Sequence, residues 1–167
     1  MRISHITIIG LLSYCFIANA TETLSTAKPA NIAGIWTLAE HYDYNADGSI
    51  RDSMGPNARG LFVYSPDGRM SLHIVPTEPR KPVTRDSDDK ALAEAYTPYI
   101  GYFGTYSVDY TAMTITHHIE GAKLPNREGT SAVRPFYFAQ GDLVLDFTST
   151  SGMRFYRRLK RLEYLSN

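Results

Sequence analysis

The sequence predicts an all-β domain: a small antiparallel up-and-down β-barrel of about eight strands with one short helix. Three features point to it. Short alternating runs of apolar and polar residues recur along the chain, Gly, Asn, Asp and Pro clusters separate them, and most follow one another with only hairpin-length gaps. With 167 residues, 43% of them hydrophobic, the chain suits one domain able to bury a core.

Before the barrel, Arg2 and His5 lead into the apolar run "ITIIGLLSYCFIA", and Ala18-Asn19-Ala20 supplies small residues for a signal peptidase. Residues 1–20 are expected to be a cleaved secretory signal, since the run falls short of the roughly 20 residues of a membrane span. Cys15, the only cysteine, lies inside it, and the bulky Tyr14 before it argues against lipid attachment. A periplasmic or extracellular protein without disulfides is expected. Residues 21–31, rich in Thr, Ala and Ser, read as a flexible linker, and 32–165 as the barrel domain.

The strands are expected in "GIWTLAEHYDY", "RGLFVY", "RMSLHIV", "GTYSVDY", "MTITHHIEGA", "TSAVRPFYF", "LVLDFTS" and "MRFYRRLKRLEY". The segments "NADGS", "SPDG", "AQGD" and "STSG" are the turns. One segment departs from this rhythm: "DSDDKALAEAYTPYIGYF" opens with acidic N-cap candidates and predicts a helix over 88–96 ended by Pro98. "PTEPRKPVTR", with its three prolines, should be an extended loop at one barrel mouth.

Hairpin turns set register, so facing residues can be paired in advance. A turn over 110–113 places Val108 opposite Ile115 and Tyr106 opposite His117. Pairing Gly121 with Thr130 places His117 opposite Arg134 and Ile115 opposite Phe136. The Gln140-Gly141 turn brings Phe138 to Leu143, Phe136 to Leu145 and Arg134 to Phe147. One face is then Val108, Ile115, Phe136, Phe138, Leu143 and Leu145, and must be the interior. Neighbours on a strand point to opposite faces, so His117 points in and His118 out, where it can pair with Glu120.

The interior row Tyr106, His117 and Arg134 is the candidate site. A buried guanidinium needs a partner: a carboxylate such as Glu40, or an acidic or carbonyl oxygen of a ligand. Beside that cation His117 should be neutral near pH 7. Trp36, Leu38, Glu40 and Tyr42 share one face of the first strand. Aligning Phe147 with Met153 puts Phe155 and Arg157 inside as well, where Trp36 stacked under Arg157 would plug the closed end. Tyr96, Tyr99 and Tyr102 suit a lid or half-buried packing. The ligand-binding candidates are Tyr106, His117, Arg134, Glu40, Tyr42, Phe136 and Tyr102.

Equal numbers of acidic and basic residues, 17 each, remove the electrostatic reason to expect nucleic acid or an anionic membrane surface as partner. Adjacent His117 and His118 cannot share one ion from a regular strand, and no phosphate loop or nucleophile elbow is present. No metal or cofactor is expected. The basic run "RFYRRLKRLEY" alternates as a solvated outer strand face would.

The blocks "MGPNARGLFVYSPDGRMSLHI", "YFGTYSVDYTAMTITHHIEGAKLPN" and "GTSAVRPF", with the opening "GIW", resemble the bacterial and fungal lipocalin-like domain family over roughly Asn31 to Leu162. The resemblance implies a small lipocalin-type β-barrel with a cavity for a hydrophobic or amphiphilic molecule, and some members accompany natural-product pathways. It also implies an aromatic residue where this chain has Arg127, a change at the cavity mouth.

Three functions fit. The first is an exported barrel that binds a small hydrophobic or amphiphilic molecule, oriented by Arg134 with Tyr106 and His117. The second is a cofactor-independent isomerase or cyclase, with His117 as base, Tyr106 as acid and Arg134 stabilising an enolate or carboxylate. The third is a structural envelope protein whose barrel is filled by Trp36, Phe136, Phe138 and Phe147. Binding ranks first because no residue pattern requires chemistry.

Overall fold

The computed structural model of the chain describes residues 31–51, 54–55, 57–78 and 80–162. The expected signal segment, almost all of the expected linker and the last three residues of the expected domain lie outside them. The strands are β1 (Gly34–Tyr44), β2 (Ile50–Arg51), β3 (Arg59–Tyr64), β4 (Arg69–Val75), β5 (Ile100–Asp109), β6 (Thr114–Ala122), β7 (Ser131–Ala139), β8 (Asp142–Thr148) and β9 (Arg154–Arg161). Every pairing is antiparallel, and β1 also pairs with β9, which closes eight strands into a barrel. The two-residue β2 is an addition on the end of β1, too short to show as an alternating run.

Alternation along each strand sends one set of side chains inward. Trp36, Phe62, Tyr64, Leu72, Ile115, Phe136, Leu143 and Leu159 are each at most 3% exposed, and burying a side chain of this size stabilises the fold by about 1.5–3 kcal/mol. Between β4 and β5 runs α1 (Asp89–Tyr96), capped by the Asp88 carboxylate accepting from the Ala91 N–H at 2.8 Å. Thr97 still has helical backbone and donates to the Ala93 carbonyl at 2.8 Å, and the helix ends there because Pro98 has no N–H to continue the ladder. No helix among the described residues is long and apolar enough to cross a membrane.

The β7–β8 hairpin has the register its turn dictates. Gln140 and Gly141 both take positive φ, 54° and 87°, as a two-residue type I′ loop requires, and Phe138 pairs with Leu143 and Phe136 with Leu145. Val108 likewise pairs with Ile115 and Tyr106 with His117.

Three registers differ from expectation. Between β6 and β7, Pro125–Arg127 form a 3-10 turn and the hairpin closes at Ile119, which both donates to Thr130 and accepts from Gly129. Ile115 therefore pairs with Arg134, and His117 with Ala132, two residues from the expected alignment. Ser149 closes on Met153 across the next turn, so Phe147 pairs with Phe155 rather than Met153. Both slips are of two residues and leave every side chain on its expected face.

The third difference does reverse faces. A bulge between Leu38 and Glu40 inserts Ala39 into β1 opposite β9, so beyond it His41 and Asp43 are buried in place of Glu40 and Tyr42.

Candidate functional site

The two ends of the barrel are built differently. At one end Trp36, Phe136 and Phe138 interlock, with ring centroids 6.5 Å apart for Trp36 and Phe138 and 5.7 Å for Phe136 and Phe138. The Trp36 indole N–H donates to the Ile32 carbonyl at 2.8 Å, and Arg161 lies over the ring at 4.1 Å. Arg161, not Arg157, thus covers the tryptophan: Arg157 lies two inward positions earlier on β9, beyond its reach.

At the other end a cavity of about 270 Å³ opens. Phe62, Leu72, Ile74 and Leu145 line its depth, and Ile100, Phe147 and Phe155 its upper walls. Its polar groups are Tyr102, His117, Ser149 and three arginines, Arg127, Arg134 and Arg157. Phe147, expected to help fill the barrel, lines open space instead.

His117 is 0% exposed, whereas His118 faces outward. The Tyr102 hydroxyl lies 2.8 Å from His117 Nδ1 and the Tyr64 hydroxyl 3.0 Å from Nε2. Burial, reinforced by the charge of Arg134 and then Arg127, pulls the imidazole from 6.5 down to about 3, so it is neutral at ordinary pH. Burial also raises the phenols of Tyr64 and Tyr102, with Arg134 opposing in both cases and Arg127 also at Tyr102. A neutral imidazole carries one N–H and one lone pair, so one of these tyrosines accepts from the ring and the other donates to it.

Arg157 meets Asp43 at 2.5 Å and also donates to the carbonyls of Tyr42 and Tyr156 at 2.8 Å each. Arg134 stacks on Phe147 at 4.1 Å, and Arg127 lies over the Tyr102 ring at 4.8 Å. Among the described residues neither Arg134 nor Arg127 has a carboxylate within ion-pair distance. Burial lowers the Arg134 guanidinium below its ordinary value; Tyr102 opposes this and Arg127 adds to it.

Of the sequence-derived candidates, His117, Arg134 and Tyr102 meet in the cavity. Tyr106 pairs with His117 in the sheet, but its hydroxyl donates to the Ser65 carbonyl at 3.0 Å and its ring packs edge-on against Tyr64 at 5.0 Å. Phe136 belongs to the packed end. Glu40 pairs with Arg158 at 3.2 Å rather than with Arg134, and Tyr42 packs on Tyr44 and Tyr156, because the β1 bulge turns both outward. Glu120 pairs with Arg69 at 3.0 Å, and His118 instead reaches Ser131 and Ser107 on the neighbouring strands. Among the remaining tyrosines, Tyr99 stacks on His73 and Tyr96 is exposed.

Tyr64, Asp43 and the inward reach of Arg127 were not read from the sequence. Tyr64 ends "RGLFVY", where apolar residues on both faces hide the inward phase, and it meets His117 across the barrel rather than along a hairpin.

The model of a lipocalin-like domain matches residues 33–163. The chain belongs to that family. No curated protein sequence matches it. In this lipocalin-like domain one end is packed solid, and the polar groups gather in the half left open.

Proposed function

We propose that this lipocalin-like protein binds a small hydrophobic or amphiphilic molecule with an anionic head, its apolar part against Phe62, Leu72 and Ile74 and its head against Arg134. The observation that carries the reading is a half-buried guanidinium, stacked on Phe147, that faces an apolar cavity without a carboxylate partner among the described residues. Such a charge is costly in a low-dielectric site, and an anionic ligand removes that cost. Export is part of the same proposal and rests on the layout of residues 1–20.

The geometry favours binding over proton transfer. An imidazole held at about 3, with both nitrogens bonded to tyrosines, is a weak base near neutrality and has no free lone pair for a substrate. A cavity of about 270 Å³ favours binding over a filled structural barrel.

Native mass spectrometry of the purified chain, followed by denaturing release, tests for a carried molecule. Titration with the neutral apolar probe N-phenyl-1-naphthylamine tests the cavity directly. Saturable uptake is expected, with octanoate displacing the probe and Arg134→Leu weakening octanoate about tenfold while sparing the probe. Failure to take up the probe in a folded protein overturns the reading.

A further inference from the structure

Charge in the cavity is unevenly matched. Three guanidiniums line it, and the Asp43 carboxylate neutralises only Arg157, whose donors are further occupied by two backbone carbonyls. His117 adds no charge. Arg127 and Arg134 remain as two positive charges near Tyr102, Arg127 seated on the Tyr102 ring and Arg134 on the Phe147 ring rather than on an acid.

Arg127 is held in place. The Thr130 hydroxyl donates to its carbonyl at 2.6 Å, and Lys123 ties the start of the same loop to the end of α1 by donating to the Thr97 carbonyl at 2.7 Å. The loop therefore presents a second guanidinium to the cavity at a fixed place. Besides its closeness to the Tyr102 hydroxyl, Arg134 makes only a long 3.4 Å hydrogen bond, to the Val133 carbonyl, so donors of its fork remain for a ligand.

We propose that the cavity selects a dianionic head group, a phosphate monoester or a malonate-type dicarboxylate on a short apolar body, with Arg127 and Arg134 as its two counter-charges. This rests on the ligand-binding reading above and adds the charge and class of the head. A monocarboxylate compensates one guanidinium and leaves the other uncompensated beside it. A phosphate or a paired carboxylate offers oxygens to both forks at once.

The test is calorimetric titration of the full chain with octyl phosphate, octylmalonate, octanoate and octanol at about pH 8, where a phosphate monoester carries close to two charges. One or both dianions should bind about tenfold or more tighter than octanoate. Binding of octyl phosphate alone identifies a phosphate ester as the head, and of octylmalonate alone a dicarboxylate. Arg127→Gln should bring the dianion down to the octanoate level, and Arg127→Lys should retain part of the advantage, with thermal melts checking that both variants fold. Dianions no tighter than octanoate, with octanoate still above octanol, overturn the dianion proposal and leave the anionic-ligand reading standing. Octanol equal to or tighter than all three anions overturns both. Absence of binding by all four also overturns both.

Discussion

Tyr102 and His117 face each other across neighbouring strands, hydroxyl to Nδ1 at 2.8 Å, and this contact joins the buried interior of the barrel to its arginine-lined mouth. Its consequence for stability is direct. His117→Ala removes a buried ring and leaves two buried phenols short of a partner, at a cost of about 3 kcal/mol or more. His118→Ala, on the exposed face, should stay within about 0.5 kcal/mol. Urea denaturation of the two variants checks the contrast.

The same imidazole makes stability depend on pH. Held at about 3 by burial, it stays neutral in the fold while the unfolded chain gains a proton near 6.5. The unfolded state therefore binds more protons between those values, and stability rises with pH across that window. The contribution is complete above 6.5 and is lost as pH falls toward 3. Urea midpoints at about pH 7.5 and about pH 4.5 should differ by less in His117→Gln than in the wild type.

Arg157 and Asp43 form an ion pair whose side chains are 8% and 10% exposed. Removing one partner strands a buried charge, so Asp43→Asn should destabilise by about 3–5 kcal/mol. The double variant Asp43→Asn with Arg157→Met should recover part of the loss, and a double-mutant cycle by chemical denaturation measures the coupling.

Outside the barrel, Arg158 bonds Asp142 at 2.6 Å and Glu40 at 3.2 Å. Because Glu40 belongs to this surface network, Glu40→Gln should cost at most about 1 kcal/mol and leave the affinity for octanoate unchanged. A substantial loss of affinity would return Glu40 to the cavity.

Gly104 stands at the β5–β6 register shift, where a Cβ would run into the His118 carbonyl. Gly104→Ala should lower stability by about 1–3 kcal/mol, read as a lower thermal midpoint.

Much of the architecture is local, and the sequence by itself determined it. Alternation marks strands, Gln140-Gly141 supplies a two-residue turn, and Asp88 and Pro98 bound the helix, each effect acting within a few residues. The inward direction of His117 and Arg134 followed too, because a register error of two residues preserves the face.

What only the tertiary structure decided depends on contacts between distant strands. The β1 bulge exchanges Glu40 and Tyr42 for His41 and Asp43, and its signal lies in how β1 meets β9, more than a hundred residues away. The pairing of Arg157 with Asp43 follows from that exchange. Tyr64 reaches His117 across the barrel, and the loop after β6 swings Arg127 over Tyr102. The pairing of Arg157 with Asp43 and the contact of Tyr64 with His117 exist only once the sheet has curled and closed, since closure brings together side chains that no single hairpin aligns.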